Sequence, residues 1–113
     1  MNTIADPFNA IETNLLGGRV RLFQPAQGFR VGIDTVFLAA AVPAVNGDLV
    51  LDVGSGNGAA ALCLCARVPG VRVWGLERQN DLVTLARRSA TANGLQDNLD
   101  FFSGDLMYPP DNF

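Results

Sequence analysis

The sequence predicts an α/β fold: one half of a doubly wound parallel sheet, preceded by a short β-hairpin and a helix. Three observations point to it. From Leu49 onward, short continuous apolar runs alternate with segments of helical period. A glycine cluster, Gly54-Ser55-Gly56-Asn57-Gly58, directly follows the first of those runs. Finally, 113 residues at 49% hydrophobic and 17% charged are enough for one packed domain and no more.

Residues 1–18 read as a loose N-terminal arm: Pro7 interrupts a stretch without clear period, and Gly17-Gly18 punctuates its end. Residues 19–47 read as a hairpin and lead-in helix. Val20 and Leu22 alternate with Arg19 and Arg21 up to Gln24, as in a strand with one face in water. Pro25 to Gly28 then supplies a turn and Phe29 to Ile33 the returning strand, weakened by Gly32. Asp34 is placed to cap the helix of Val36 to Ala41, since its carboxylate can accept from first-turn amides, and Pro43 limits that helix.

Residues 48–113 read as the first half of a cofactor-binding domain. Leu49 to Val53 is a buried strand, Ala59 to Val68 a helix stopped by Pro69-Gly70, and Val71 to Leu76 a second strand ending at Glu77. Asp81 to Asn93 is an amphipathic helix that turns Leu82, Leu85, Ala86 and Ser89 to one side, with Gly94 as its C-terminal stop. Leu99 to Phe102 is the third strand, Ser103-Gly104-Asp105 follows it, and Tyr108-Pro109-Pro110-Asp111 reads as a loop. The alternating order requires right-handed crossovers between parallel strands.

Composition removes much chemistry. All eight cations are arginine, with no lysine or histidine, so Schiff bases, a phosphate-binding loop lysine and histidine general-base catalysis are excluded. Eleven acidic residues give a net charge of −3, a poor footprint for gripping nucleic acid unaided. Cys63 and Cys65 read as small buried hydrophobes rather than metal ligands, because a zinc site wants four ligands. The most apolar stretch, Val36 to Val45, falls well short of the roughly 20 residues that span a bilayer, and no basic-then-apolar signal opens the chain, so the expected location is cytoplasmic, without a membrane partner.

The chemistry lies at the carboxyl ends of the three strands. Gly54 and Gly56 let the backbone turn tightly and approach a ligand, and the next helix offers free amides at its N-terminus, with Asn57 between. Taken alone, the cluster also suits a dinucleotide such as NAD. Glu77, followed by Arg78, ends the second strand, where a carboxylate can take both hydroxyls of a ribose; both cofactor classes want that acid. Asp52 separates them: it would repel a pyrophosphate but suits a ligand bearing an amino group and a sulfonium, such as S-adenosylmethionine. Gly104-Asp105 adds a third acid, able to accept from an adenine amino group.

Leu51-Asp52-Val53-Gly54-Ser55-Gly56-Asn57-Gly58, Gly75-Leu76-Glu77 and Gly104-Asp105 together resemble the first three motifs of class I S-adenosylmethionine-dependent methyltransferases, a Rossmann-like fold. Gln24-Pro25 with Gly28-Phe29-Arg30-Val31-Gly32-Ile33-Asp34-Thr35-Val36-Phe37-Leu38 is similar to the lead-in of bacterial tRNA adenine-N6 methyltransferases that modify valine tRNA. The resemblance implies that this lead-in lies over the cofactor, making Arg30, Gly32 and Asp34 candidate contacts to its methionine end. It also implies a tRNA or other nucleic-acid substrate for the full-length protein, and an Asn-Pro-Pro-Tyr after a fourth strand as the catalytic element. No such tetrapeptide occurs in this chain, and Tyr108-Pro109-Pro110-Asp111 has the wrong order. The expectation is therefore a fragment that holds the cofactor half and is inactive alone, its first strand open to self-association. A nicotinamide-dependent oxidoreductase half and a non-catalytic binding module are the alternatives.

Overall fold

The computed structural model describes residues 9–26 and 32–113. An antiparallel hairpin, β1 (Ile11–Leu15) and β2 (Val20–Gln24), opens the chain. Helix α1 (Ile33–Ala41) leads into a three-stranded parallel sheet of β3 (Leu49–Val53), β4 (Arg72–Glu77) and β5 (Leu99–Ser103). The crossovers are α2 (Ala59–Arg67) and α3 (Asn80–Ala92). Sheet order is β3-β4-β5, with Leu51 opposite Trp74 opposite Asp100 and Asp52 opposite Gly75 opposite Phe101. Two right-handed crossovers running the same way along a sheet put both helices on one face.

The hairpin corrects the sequence reading. The partner of β2 lies upstream in β1, within the span expected to be a loose arm, and not downstream at Phe29 to Ile33. Gly17-Gly18 is its turn: Leu16, Gly17 and Gly18 all take positive φ (52°, 65° and 89°), which glycine adopts freely. Of the expected returning strand, residues 29–31 lie outside the described residues, while Ile33 already belongs to α1. Asp34 is not the helix cap either; Gly32 takes that place, and Asp34 sits in the first turn, where its Oδ1 accepts from the Thr35 amide at 3.1 Å.

Helix α3 carries the hairpin. Its buried face presents Val83, Leu85, Ala86, Ser89 and Ala90, and Ser89 and Asn93, four residues apart, point the same way. The Ser89 hydroxyl accepts from the Phe23 amide at 2.8 Å, while the Asn93 amide group both accepts from Arg21 N at 2.8 Å and donates to Arg21 O at 2.6 Å. Val20 and Leu22 thereby enter the common core with Leu62, Val73 and Phe101. On the opposite face of the sheet, Leu49, Leu51 and Val53 stay 43%, 55% and 53% exposed. Beside them, Trp74 packs edge-on against Phe102, and Phe113 folds back to complete the aromatic trio.

Candidate functional site

At the carboxyl ends of the strands the chain forms a crevice of about 370 Å³ lined by Val53, Gly54, Leu76, Glu77, Arg78, Gln79, Gly104 and Asp105. The glycine loop shapes its wall. After β3 the backbone turns back over β4, with the amides of Gly54 and Ser55 both donating to Leu76 O at 2.7 and 3.1 Å. Gly54 (φ 75°) and Gly56 (φ 58°) hold left-handed conformations that an L side chain would strain, and nothing lies within 4 Å of where a Cβ would stand on either. Open space beside strained glycines is what lets a ligand approach the backbone.

Glu77 is the fixed point. Only 8% exposed, it accepts from the Gly56 amide through Oε1 and from the Gln79 amide through Oε2, both at 2.9 Å. Two backbone donors orient the carboxylate rigidly, and each oxygen retains acceptor capacity for a hydroxyl in the crevice. Across the opening, Asp105 Oδ1 accepts from the Tyr108 amide at 2.8 Å, which braces its loop. Pro110 approaches Gly104 so closely that a Cβ there would sit 2.9 Å from the proline ring.

Five of the residues singled out in the sequence, Gly54, Glu77, Arg78, Gly104 and Asp105, thus line one crevice, and Gly56 joins them through its bond to Glu77. Others do not. Asp52 lies on the helix face of β3 and lines a separate cavity of about 150 Å³ with Leu38, Ala39 and Leu64 among its walls. Burial there, reinforced by the negative charge of Glu77, pushes its carboxyl above the ordinary carboxylate value. Asn57 is half-buried in the loop without lining the crevice, Gly32 and Asp34 stand exposed at the start of α1, and Arg30 lies outside the described residues. Sequence patterning assigns no role of their own to Gln79 and Ser55. Gln79 acts through its backbone amide, which no side-chain pattern reveals, and Ser55 was legible only as a member of the glycine cluster.

Cys63 and Cys65 are buried and unpaired, and burial raises both thiols, that of Cys65 to about 11. Among the described residues, no group of three or more His, Cys, Asp and Glu is placed to hold a metal ion, and no helix is long and apolar enough to cross a membrane.

Fold and crevice define a Rossmann-like α/β domain with an acidic site where its parallel strands end. Known proteins make that more specific. Residues 50–112 match the methyltransferase domain family. The release factor glutamine methyltransferase of Chlorobaculum tepidum is 33% identical over 69 residues, covering 61% of this chain and 24% of that protein. The tRNA1(Val) (adenine(37)-N6)-methyltransferase of Porphyromonas gingivalis is 36% identical over 93 residues, covering 79% of this chain and 36% of that protein. Among solved structures, an S-adenosylmethionine-dependent methyltransferase from Thiobacillus denitrificans in complex with S-adenosyl-L-homocysteine superimposes with a TM-score of 0.58 at 28% identity, over 66% of this chain and 30% of that one. This chain belongs to the class I S-adenosylmethionine-dependent methyltransferases. It spans roughly a quarter to a third of the length of the curated relatives it matches.

Proposed function

We propose that this chain supplies the S-adenosylmethionine-binding half of a methyltransferase that acts on an exocyclic amine of adenine in tRNA. The observation that carries the acceptor is the reach of the similarity. The tRNA adenine relative of Porphyromonas gingivalis matches 79% of the chain, whereas the release factor relatives of Chlorobaculum tepidum and Aliivibrio fischeri match 61% and 57% of it. Glutamine of a release factor is the second reading, favoured by the identity of 33% over 69 residues.

The donor set suits this cofactor. Glu77 and Asp105 outnumber the single cation, Arg78, around the crevice, which favours hydroxyl and amine donors over a diphosphate and so argues against NAD. In this reading Glu77 receives the ribose hydroxyls, Asp105 the adenine amine, and Gly54, Gly56, Asn57 and Gly104 give the backbone room. Asp52 faces the positive end of the ligand, and Arg30, Gly32 and Asp34 come to it from the lead-in. The bound cofactor brings the electrophilic methyl group. The chain's own part is to orient it and exclude water, which explains why the absence of histidine is no obstacle. We further propose a cytoplasmic protein whose open β3 edge pairs with a second copy when nothing else covers it.

Calorimetry with S-adenosyl-L-homocysteine and with NAD tests the cofactor. Heat with the former, lost by about tenfold or more in affinity in Glu77→Ala, is expected; heat with NAD alone overturns the reading. Labelled methyl transfer by the encoded protein to unmodified tRNA and to a release factor separates the acceptors, and label in the release factor alone rejects tRNA.

A further inference from the structure

Two polar groups on the helix face of the sheet have no hydrogen-bond partner among the described residues. One is the Ser55 hydroxyl, in a side chain that leaves the residue only 8% exposed. The other is the Asp52 carboxylate, half-buried in its apolar cavity. Buried polar groups without partners are uncommon, and the Ser55 hydroxyl, on the same face as a half-buried carboxylate, calls for an explanation.

The register places them together. Asp52 and Gly75 are partners across β3 and β4, so a Cβ on Gly75 would point to the same face as that of Asp52, about 5 Å away. Ser55 occupies the room that residue 75 leaves: a Cβ there would meet Ser55 Oγ at 2.7 Å. The loop holds Ser55 in this position through its amide bond to Leu76 O and through the Gly58 amide, which donates to Ser55 O at 3.0 Å. Gly75 is therefore the gap through which a loop hydroxyl reaches the neighbourhood of the β3 carboxylate.

We infer that Ser55 is a positioning residue for Asp52: folded over Gly75, its hydroxyl donates to the Asp52 carboxylate through one bridging water, and keeps it ionised and aimed at a cationic ligand. That a cation is the ligand rests on the function proposed above; the pairing of the two side chains does not. The surroundings make such a donor necessary. From α1 and α2, only apolar residues reach the cavity of Asp52, Leu38 and Leu64 among them. Asp34 opens α1, and Arg67, which closes α2, is engaged by the carbonyls of Ala39 and Val42. From β4 the facing charge is Glu77, which opposes ionisation. A hydrogen bond to the charged form is the remaining way to favour it.

Carbon-detected NMR titration of the Asp52 carboxyl in the unliganded chain, together with the pH profile of S-adenosyl-L-homocysteine binding, tests this. In Ser55→Ala the Asp52 midpoint is expected to rise by roughly one unit. The pH below which affinity falls should rise with it. Ser55→Cys, of nearly the same shape but a weaker donor, should shift the midpoint the same way by less, and serves if the alanine variant does not fold. In the Asp52→Asn background, Ser55→Ala should leave the binding profile unchanged. An unmoved midpoint in folded Ser55 variants, with ligand binding intact, overturns the pairing and spares the cofactor site. A wild-type chain that binds no S-adenosyl-L-homocysteine while the midpoint still shifts removes the cofactor reading and leaves the pairing standing.

Discussion

The outer edges of β2 and β3 face the same hazard, and the chain treats them differently. A free strand edge offers unpaired amides and carbonyls to any other chain. On β2, helix α3 answers it with side chains: Asn93 takes both backbone groups of Arg21, and Ser89 takes the Phe23 amide. On β3 the edge away from β4 is left unpaired within the sheet, and Leu49, Leu51 and Val53 stand about half exposed beside it. Two residues one helical turn apart can close a short edge, because only alternate residues of a strand point their backbone groups outward. Among the described residues nothing comparable approaches the β3 edge, since α1 and α2 both lie against its inner face. The first edge is sealed by side chains of α3, and the second stays unpaired among the described residues.

Leu22→Ala should break the contrast most. Leu22 is fully buried where the hairpin meets the core, and its truncation is expected to cost about 3 kcal/mol, read from the urea midpoint. Asn93→Ala removes two hydrogen bonds at the sealed edge and should cost about 2 kcal/mol; a midpoint shift indistinguishable from zero would mean that water replaces the side chain at no penalty. On the open strand, Asp52→Asn should raise the melting temperature at pH 7. Its carboxyl lies above its ordinary value of 3.8 in the folded chain, so its contribution is most favourable below that value and declines as pH climbs through the raised one. The asparagine variant should lose that slope, and a slope that persists would assign it to another group. Smallest in stability, under about 0.5 kcal/mol, is Leu51→Lys, which should nevertheless abolish concentration-dependent association in sedimentation. Wild-type chain that stays monomeric at high concentration would show that the open edge recruits no second copy.

The parallel half of the molecule was legible because each level of its sequence agrees with the next. Leu49 to Val53 is both a continuous apolar run and the strand, and the glycine loop marks its end. β1 was not legible, because Ile11-Glu12-Thr13-Asn14-Leu15 carries two poor strand formers and acquires its conformation from pairing with β2, helped by the Glu12–Arg21 ion pair at 2.8 Å. Gly17-Gly18 was visible as punctuation, yet only the fold tells a hairpin turn from a boundary. At the site, the convergence of Glu77 and Asp105 follows from parallel strands ending at one level. That Asp52 lies outside the crevice lining also has a signal in the sequence: the two-residue period of a strand places it with Val50, on the face opposite Leu51 and Val53. Its distance from the crevice lining follows from that alternation.

Trp74 is the chain's sole tryptophan, and it lies opposite Leu51 on the sheet face that no helix among the described residues covers, held between Phe102 and Phe113. The molecule therefore carries a natural optical reporter on the sheet face opposite the helices. Whatever settles over β3 and β4 there changes the solvation of one indole, and its emission colour should follow assembly without any attached dye, while events at the hairpin and α3 leave that signal silent.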